Sequence, residues 1–161
     1  MNIRRIKWIG TLAFLVSLPG LYFYLQKDER TRVVVKVGDE ILLLKGWYGS
    51  NKWMLPGGGM HKSEKPAEAA IRELQEETGI VALPPDLVFV ASGSVSDSYG
   101  LHYKYHLFTL ELLAKPDVTV SNAEIYGSSW QKPELLVTDT KHVLKATRST
   151  LQTWIEHQNL L

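Results

Sequence analysis

Two near-continuous apolar runs open the folded part of the chain, Arg32-Val33-Val34-Val35-Lys36-Val37 and Glu40-Ile41-Leu42-Leu43-Leu44-Lys45. Gly38-Asp39 between them is a two-residue hairpin signal. Runs without polar alternation predict strands covered on both faces. Residues 46–52 are loop by composition, and Pro66 to Thr78 is a helix: proline suits its first position, alanines fill its first turns, and Gly79 closes it. Leu87 to Ala91 reads as a strand and Ser92 to Gly100 as a polar loop. From Leu101 to Leu113 the chain alternates, with His102, Lys104 and His106 on one side and Leu101, Tyr103, Tyr105 and Leu107 on the other. After a break at Lys115-Pro116-Asp117 come Glu124 to Trp130 and a short turn or helix at Pro133 to Leu136. A last helix over Lys141 to His157 carries Leu144, Thr147, Leu151, Trp154 and Ile155 at helical spacing.

Ahead of these elements lies an uncharged apolar run from Trp8 to Leu25 behind a basic start, Arg4-Arg5-Ile6-Lys7. As a helix its length is about 27 Å, enough to reach across a hydrocarbon core of roughly 30 Å. Trp8, Tyr22 and Tyr24 sit like interfacial anchors. Three readings compete: an uncleaved transmembrane anchor, a signal peptide, and a buried helix. Bulky Tyr22, Phe23, Tyr24 and Leu25 stand where cleavage requires small residues, which favours the anchor. Basic residues flank both ends, so orientation is nearly tied, with a lean towards a cytoplasmic domain. The boundary falls near residue 30, with 1–29 as basic terminus and anchor and 30–161 as one folded domain.

Composition narrows the function classes. With 161 residues, 45% hydrophobic and 22% charged, the chain has material for one core. A net charge of +1 argues against bulk nucleic-acid binding. Cysteine is absent, which removes disulfides and thiolate metal sites. Oligomeric state is not legible.

The Pro66–Thr78 helix carries its charge awkwardly. Glu73, Glu76 and Glu77 share one face and repel by about 0.2–0.5 kcal/mol per pair, and the last two sit at the negative end of the helix dipole. Arg72 is expected to relieve part of this through Glu68 and Glu76. Two accounts remain: a solvated acidic face, or oxygen ligands for a hard divalent ion beside the glycine turn Gly57-Gly58-Gly59.

From Gly58 the spacing is five residues to Glu64, seven more, then Arg72-Glu73-Leu74-Gln75-Glu76-Glu77-Thr78-Gly79-Ile80. This is similar to the Nudix hydrolase signature at every defining position, and the lead-in Trp53-Met54-Leu55-Pro56-Gly57-Gly58-Gly59 resembles the family's approach to it. The resemblance spans roughly residues 31–158. It implies an α/β fold, an α/β/α sandwich with a mixed sheet, and Mg2+- or Mn2+-dependent hydrolysis of a nucleoside diphosphate linked to another moiety. It further implies Glu73, Glu76 and Glu77 as metal ligands and catalytic groups, with a carbonyl of Gly57 or Gly58 beside them, Arg72 orienting the acids and Glu64 holding the loop. Glu124 resembles a late acid that serves some members as fourth ligand or base; its other reading is a strand-end ion pair. Gly57, Gly58, Gly59, Trp47 and Tyr99 are the expected substrate contacts, although Trp47 reads equally as a packing plug. His102, Lys104 and His106 are open between phosphate contact and a half-solvated strand face. His61 and Ser63 depart from the glutamate and glycine that many members carry, and Ser63 would restrict a loop that needs positive φ. A different class of function also stands: a catalytically idle, membrane-tethered Nudix domain that binds a nucleotide or partner.

Overall fold

The computed structural model describes residues 29–46, 51–96, 102–119 and 125–160. The anchor-like run 8–25 and the candidate site residues Trp47, Tyr99 and Glu124 lie outside the described residues. Among those described, no helix is long and apolar enough to cross a membrane.

In chain order the elements are β1 (Glu29–Val37), β2 (Glu40–Gly46), β3 (Trp53–Met54), α1 (Pro66–Thr78), a 3-10 turn (Pro84–Asp86), β4 (Val88–Ser96), β5 (His102–Glu111), β6 (Ile125–Gln131), α2 (Pro133–Val137) and α3 (Lys145–Gln158). The sheet runs β3-β2-β1-β5-β4, with β6 on the other edge of β2. It is mixed: β1 and β5 are parallel, and the other pairs antiparallel.

Both faces of the sheet are covered, as the unbroken apolar runs require. Val33, Val35, Leu42 and Leu44 point to one side, where Ala70 and Leu74 of α1 close a core with Phe108 and Leu110. Val34, Ile41 and Leu43 point to the other, against Leu136 of α2 and Ala146, Leu151 and Trp154 of α3. This is the expected α/β/α sandwich.

The hairpin turns at Gly38, whose φ is +59°, and then opens. β1 and β2 are in register only at Lys36–Ile41 and Val37–Glu40. Beyond that point residues 56–60 take over the edge of β1: Val33 N donates to Pro56 O, Thr31 N to Gly58 O, and Met60 N to Glu29 O, at 2.9–3.0 Å. The glycine turn is therefore laid along a sheet strand rather than hung in solvent.

Three boundaries differ from the sequence pattern. β4 continues through Ser92–Ser96, a stretch expected as loop, because its serines line the open face of an edge strand and pair with β5, Ser92 opposite His106 and Ser96 opposite His102. α3 begins at Lys145, not Lys141, because residues 142–144 are drawn into pairing with β3: Trp53 N donates to His142 O and Leu144 N to Trp53 O. β1 starts at Glu29, before the apolar pattern does, held by pairing with Lys104 of β5.

Candidate active site

α1 presents its acidic face to the glycine turn. The helix starts at Pro66, with Glu68 accepting the Lys65 backbone N–H at 3.3 Å, and ends at Gly79, left-handed at φ +73° with its N–H on Gln75 O. Leu74, Ala69 and Ala70 are fully buried, which fixes the rotation of the helix. Arg72, Glu73, Glu76 and Glu77 are carried towards residues 57–59.

Each contact is residue-specific. Gly57 N donates to Glu77 Oε2 at 2.8 Å, and the Glu77 carboxylate is buried. Gly57 has φ +127°, and a Cβ there would lie 2.2 Å from Thr31 O, so no side chain is tolerated. Gly58 packs on Glu73: a Cβ would meet its carboxylate at 2.4 Å. Gly59 has nothing within 4 Å of that position and contributes its carbonyl, which accepts from Arg72 Nη2 at 2.9 Å.

Arg72 is the hub. It forks onto Glu64, Nε to Oε1 at 2.9 Å and Nη2 to Oε2 at 3.0 Å, and its Nη1 reaches Glu73 at 2.8 Å and Glu76 at 3.4 Å. The expected partner Glu68 is instead engaged at the helix start; Glu64 takes its place because the loop folds it under the guanidinium. The fork on Arg72, with the His61 backbone N–H adding to it, holds the Glu64 carboxyl down at about 2. Arg72 is raised in turn, chiefly by Glu64, and stays protonated.

The donor set fits a hard divalent cation: three carboxylates and neighbouring carbonyls, all oxygen, with Glu73 and Glu76 sharing one guanidinium. Their present rotamers are those of an ion-pair network. Among the described residues no three acidic or imidazole groups converge as a ready-made cage. Glu73 and the half-exposed Glu76 lean on Arg72, while Glu77 turns to Gly57. Gly57 O accepts from Arg32 Nη1 and Gly58 O from Thr31 N, and a carbonyl oxygen carries two lone pairs.

Arg32 is the functional neighbour that motif spacing missed. Although nearly buried, it donates from Nη1 to Gly57 O and Thr31 O, both at 2.8 Å, and lies over the Tyr103 ring at 5.6 Å. The signal was available: an arginine heading an apolar run that is covered on both faces needs a polar partner inside.

A glycine turn lies clamped between a buried arginine and an acid-bearing helix, inside an α/β/α sandwich. The NUDIX domain family model matches residues 27–152, and the chain belongs to the Nudix hydrolase family. It is 32% identical over 111 residues to the uncharacterized Nudix hydrolase YvcI of Bacillus subtilis (strain 168), covering 66% of each chain. It is 36% identical over 83 residues to human diphosphoinositol polyphosphate phosphohydrolase 3-alpha, covering 52% of this chain and 50% of that one. The matched regions thus span about half to two thirds of these relatives. Among solved structures, a bifunctional NMN adenylyltransferase/ADP ribose pyrophosphatase from Francisella tularensis shares the fold with a TM-score of 0.69 and 20% identity, over 89% of this chain and 46% of that one.

Proposed function

We propose that the protein hydrolyses the diphosphate bond of a nucleoside diphosphate linked to another moiety, using Mg2+ or Mn2+ held by Glu73, Glu76 and Glu77 with the Gly58 carbonyl. The observation that carries this reading is the pairing of Glu77 with Gly57 and of Glu73 with Gly58, which seats two acids of the signature against the turn that would face the phosphates.

When bound, a divalent cation neutralises diphosphate charge and lowers the pKa of water. The protein's own groups do the rest. Arg72 keeps Glu73 and Glu76 on one side of the helix and ties Gly59 to α1. Glu64 fixes Arg72 and the loop through His61 N–H. Gly59, with nothing within 4 Å of where a Cβ would stand, leaves room for a phosphate oxygen to approach the backbone, while Gly57 and Gly58 let the turn pack against Thr31 and Glu73. In this reading Glu124 is the fourth ligand or the base, and Trp47 and Tyr99 contact the substrate; Glu124 and Tyr99 rest on the sequence resemblance, and Trp47 on its place in the loop before the box. The name of the human relative supports extending the class to diphosphates without a nucleoside.

The test is incubation of the full chain with Mg2+, and separately with Mn2+, and a panel of nucleotide and non-nucleotide diphosphates, with products separated by ion exchange. Cleavage at the diphosphate of at least one class is expected. Binding without turnover, with either metal, would replace the enzyme by an idle binding domain.

We also propose that residues 8–25 tether the domain to a membrane, with the domain on the cytoplasmic side. The hydropathy of that run and its aromatic ends support the tether, and the abundance of nucleotides inside cells supports the cytoplasmic side. Retention of the full chain in membranes after alkaline carbonate washing is the expected result; release would overturn it.

A further inference from the structure

The sheet face that carries α1 does not end where the helix ends. Towards the N-terminal ends of β1 and β5 it continues as a polar floor, because Thr31 and Glu29 follow Val33 on β1, and His106, Lys104 and His102 follow Phe108 on β5. Thr31 bonds Gly58 on one side and pairs with His106 on the other. His106 is therefore two strand spacings, about 10 Å, from the glycine turn.

The groups on this floor are wired together. Ser92 Oγ lies 2.7 Å from His106 Nδ1, and His106 Nε2 lies 2.9 Å from Glu29 Oε2. A hydroxyl donating to Nδ1 leaves Nε2 carrying the proton, so the imidazole donates to the Glu29 carboxylate. Lys104 Nζ reaches the same carboxylate at 3.5 Å, and Ser96 Oγ meets His102 Nδ1 at 2.7 Å. Lys104 and His102 are open to solvent, and the Glu29 side chain is 42% exposed. Glu29 thus occupies two convergent donors as an anionic ligand would, and its carboxyl is lowered by His106 first and by Lys104. Between 102 and 106 this face of β5 offers amine and imidazole donors and no apolar side chain for a base to rest on.

We propose that this floor is a subsite for a phosphoryl group on a base-free, multiply phosphorylated part of the substrate, and that the Glu29 carboxylate stands in its place until the ligand displaces it. The proposal rests on the reading of the neighbouring box as a diphosphate site. A phosphoryl group brings more charge and more oxygens than a carboxylate to the same two donors. Residues 102, 104 and 106 lie about 7 Å apart along the strand, which suits phosphates distributed over a polyol ring.

The probe is myo-inositol hexakisphosphate, which has no anhydride bond, titrated calorimetrically into the full chain without metal; ADP is the base-bearing control. Because no turnover is needed, the result is independent of whether the box hydrolyses anything. The Lys104→Ala/His106→Ala variant is expected to bind the probe at least about tenfold more weakly, the loss of one charge-assisted hydrogen bond. ADP affinity should stay within about twofold, a change well under 1 kcal/mol. Glu29→Gln is expected to bind the probe about threefold more tightly, by removing a competing surface charge. Thermal melts verify folding, and Lys104→Ala alone, a change at an exposed position, serves if the double variant melts early. Wild-type affinity in the Lys104 and His106 variants would overturn the proposal, as would equal losses for ADP or weaker probe binding by Glu29→Gln.

Discussion

Ser63 sits at φ +66° in the loop before α1, in a region where a side chain costs roughly 1 kcal/mol over glycine. Ser63→Gly should therefore raise stability by about 0.5–1 kcal/mol, read as an increase of a few degrees in Tm; an unchanged or lower Tm would mean that the hydroxyl compensates. The sequence marked this position, because a serine stands where many members of the family carry glycine. Glu64 gives a pH signature. Its folded carboxyl is depressed to about 2 from 4.5 by Arg72, so its contribution is complete above the unfolded pKa and is lost as pH falls from about 4.5 towards 2. Glu64→Gln should be less stable than wild type in urea at pH 6, and the gap should narrow by pH 3. A gap that is constant with pH would place the effect in loop packing instead. Arg72, Glu64 and the glycines were readable as a set because their spacing is the message. Arg32 could be read as needing a buried polar partner, but not which one, since Gly57 is brought to it by the fold.

At the scale of elements, β1, β2 and α1 were legible because each is driven by its own pattern: continuous apolar runs for buried strands, proline and glycine stops for the helix. β4 and α3 were only partly so. Ser92 to Ser96 has no hydrophobic pattern on its open face, and its strand conformation comes from pairing with β5, a non-local cause. Residues 141–144 fit a helix by composition yet are held extended or turned by β3. α3 is itself anchored by Trp154, whose Nε1–H donates to the buried Thr109 Oγ1 at 2.8 Å. Trp154→Phe should lower the urea midpoint by an amount equivalent to about 1–3 kcal/mol, since Thr109 loses its partner in the core. A loss below about 0.5 kcal/mol would show that the hydroxyl finds another acceptor or donor.

The molecule as a whole turns on the opening of one hairpin. Where β1 and β2 separate, the glycine turn enters the sheet edge, and α1 packs above it with Glu73 and Glu77 in contact with Gly58 and Gly57. The fold class could be read from element order and the signature; this route of the loop along β1 could not, because backbone pairing leaves no trace in residue type. On this route the acids of α1 that would otherwise repel one another meet the turn, where Glu77 accepts the Gly57 N–H and Glu73 packs on Gly58. The most direct test of that account is Glu77→Gln. A glutamine oxygen can still accept the Gly57 N–H, so the variant should melt within about 1 kcal/mol of wild type. It should also lose at least about 100-fold in kcat for Mg2+-dependent diphosphate cleavage, the scale of a lost charge at the reacting centre. A folded variant that cleaves at the wild-type rate would contradict it.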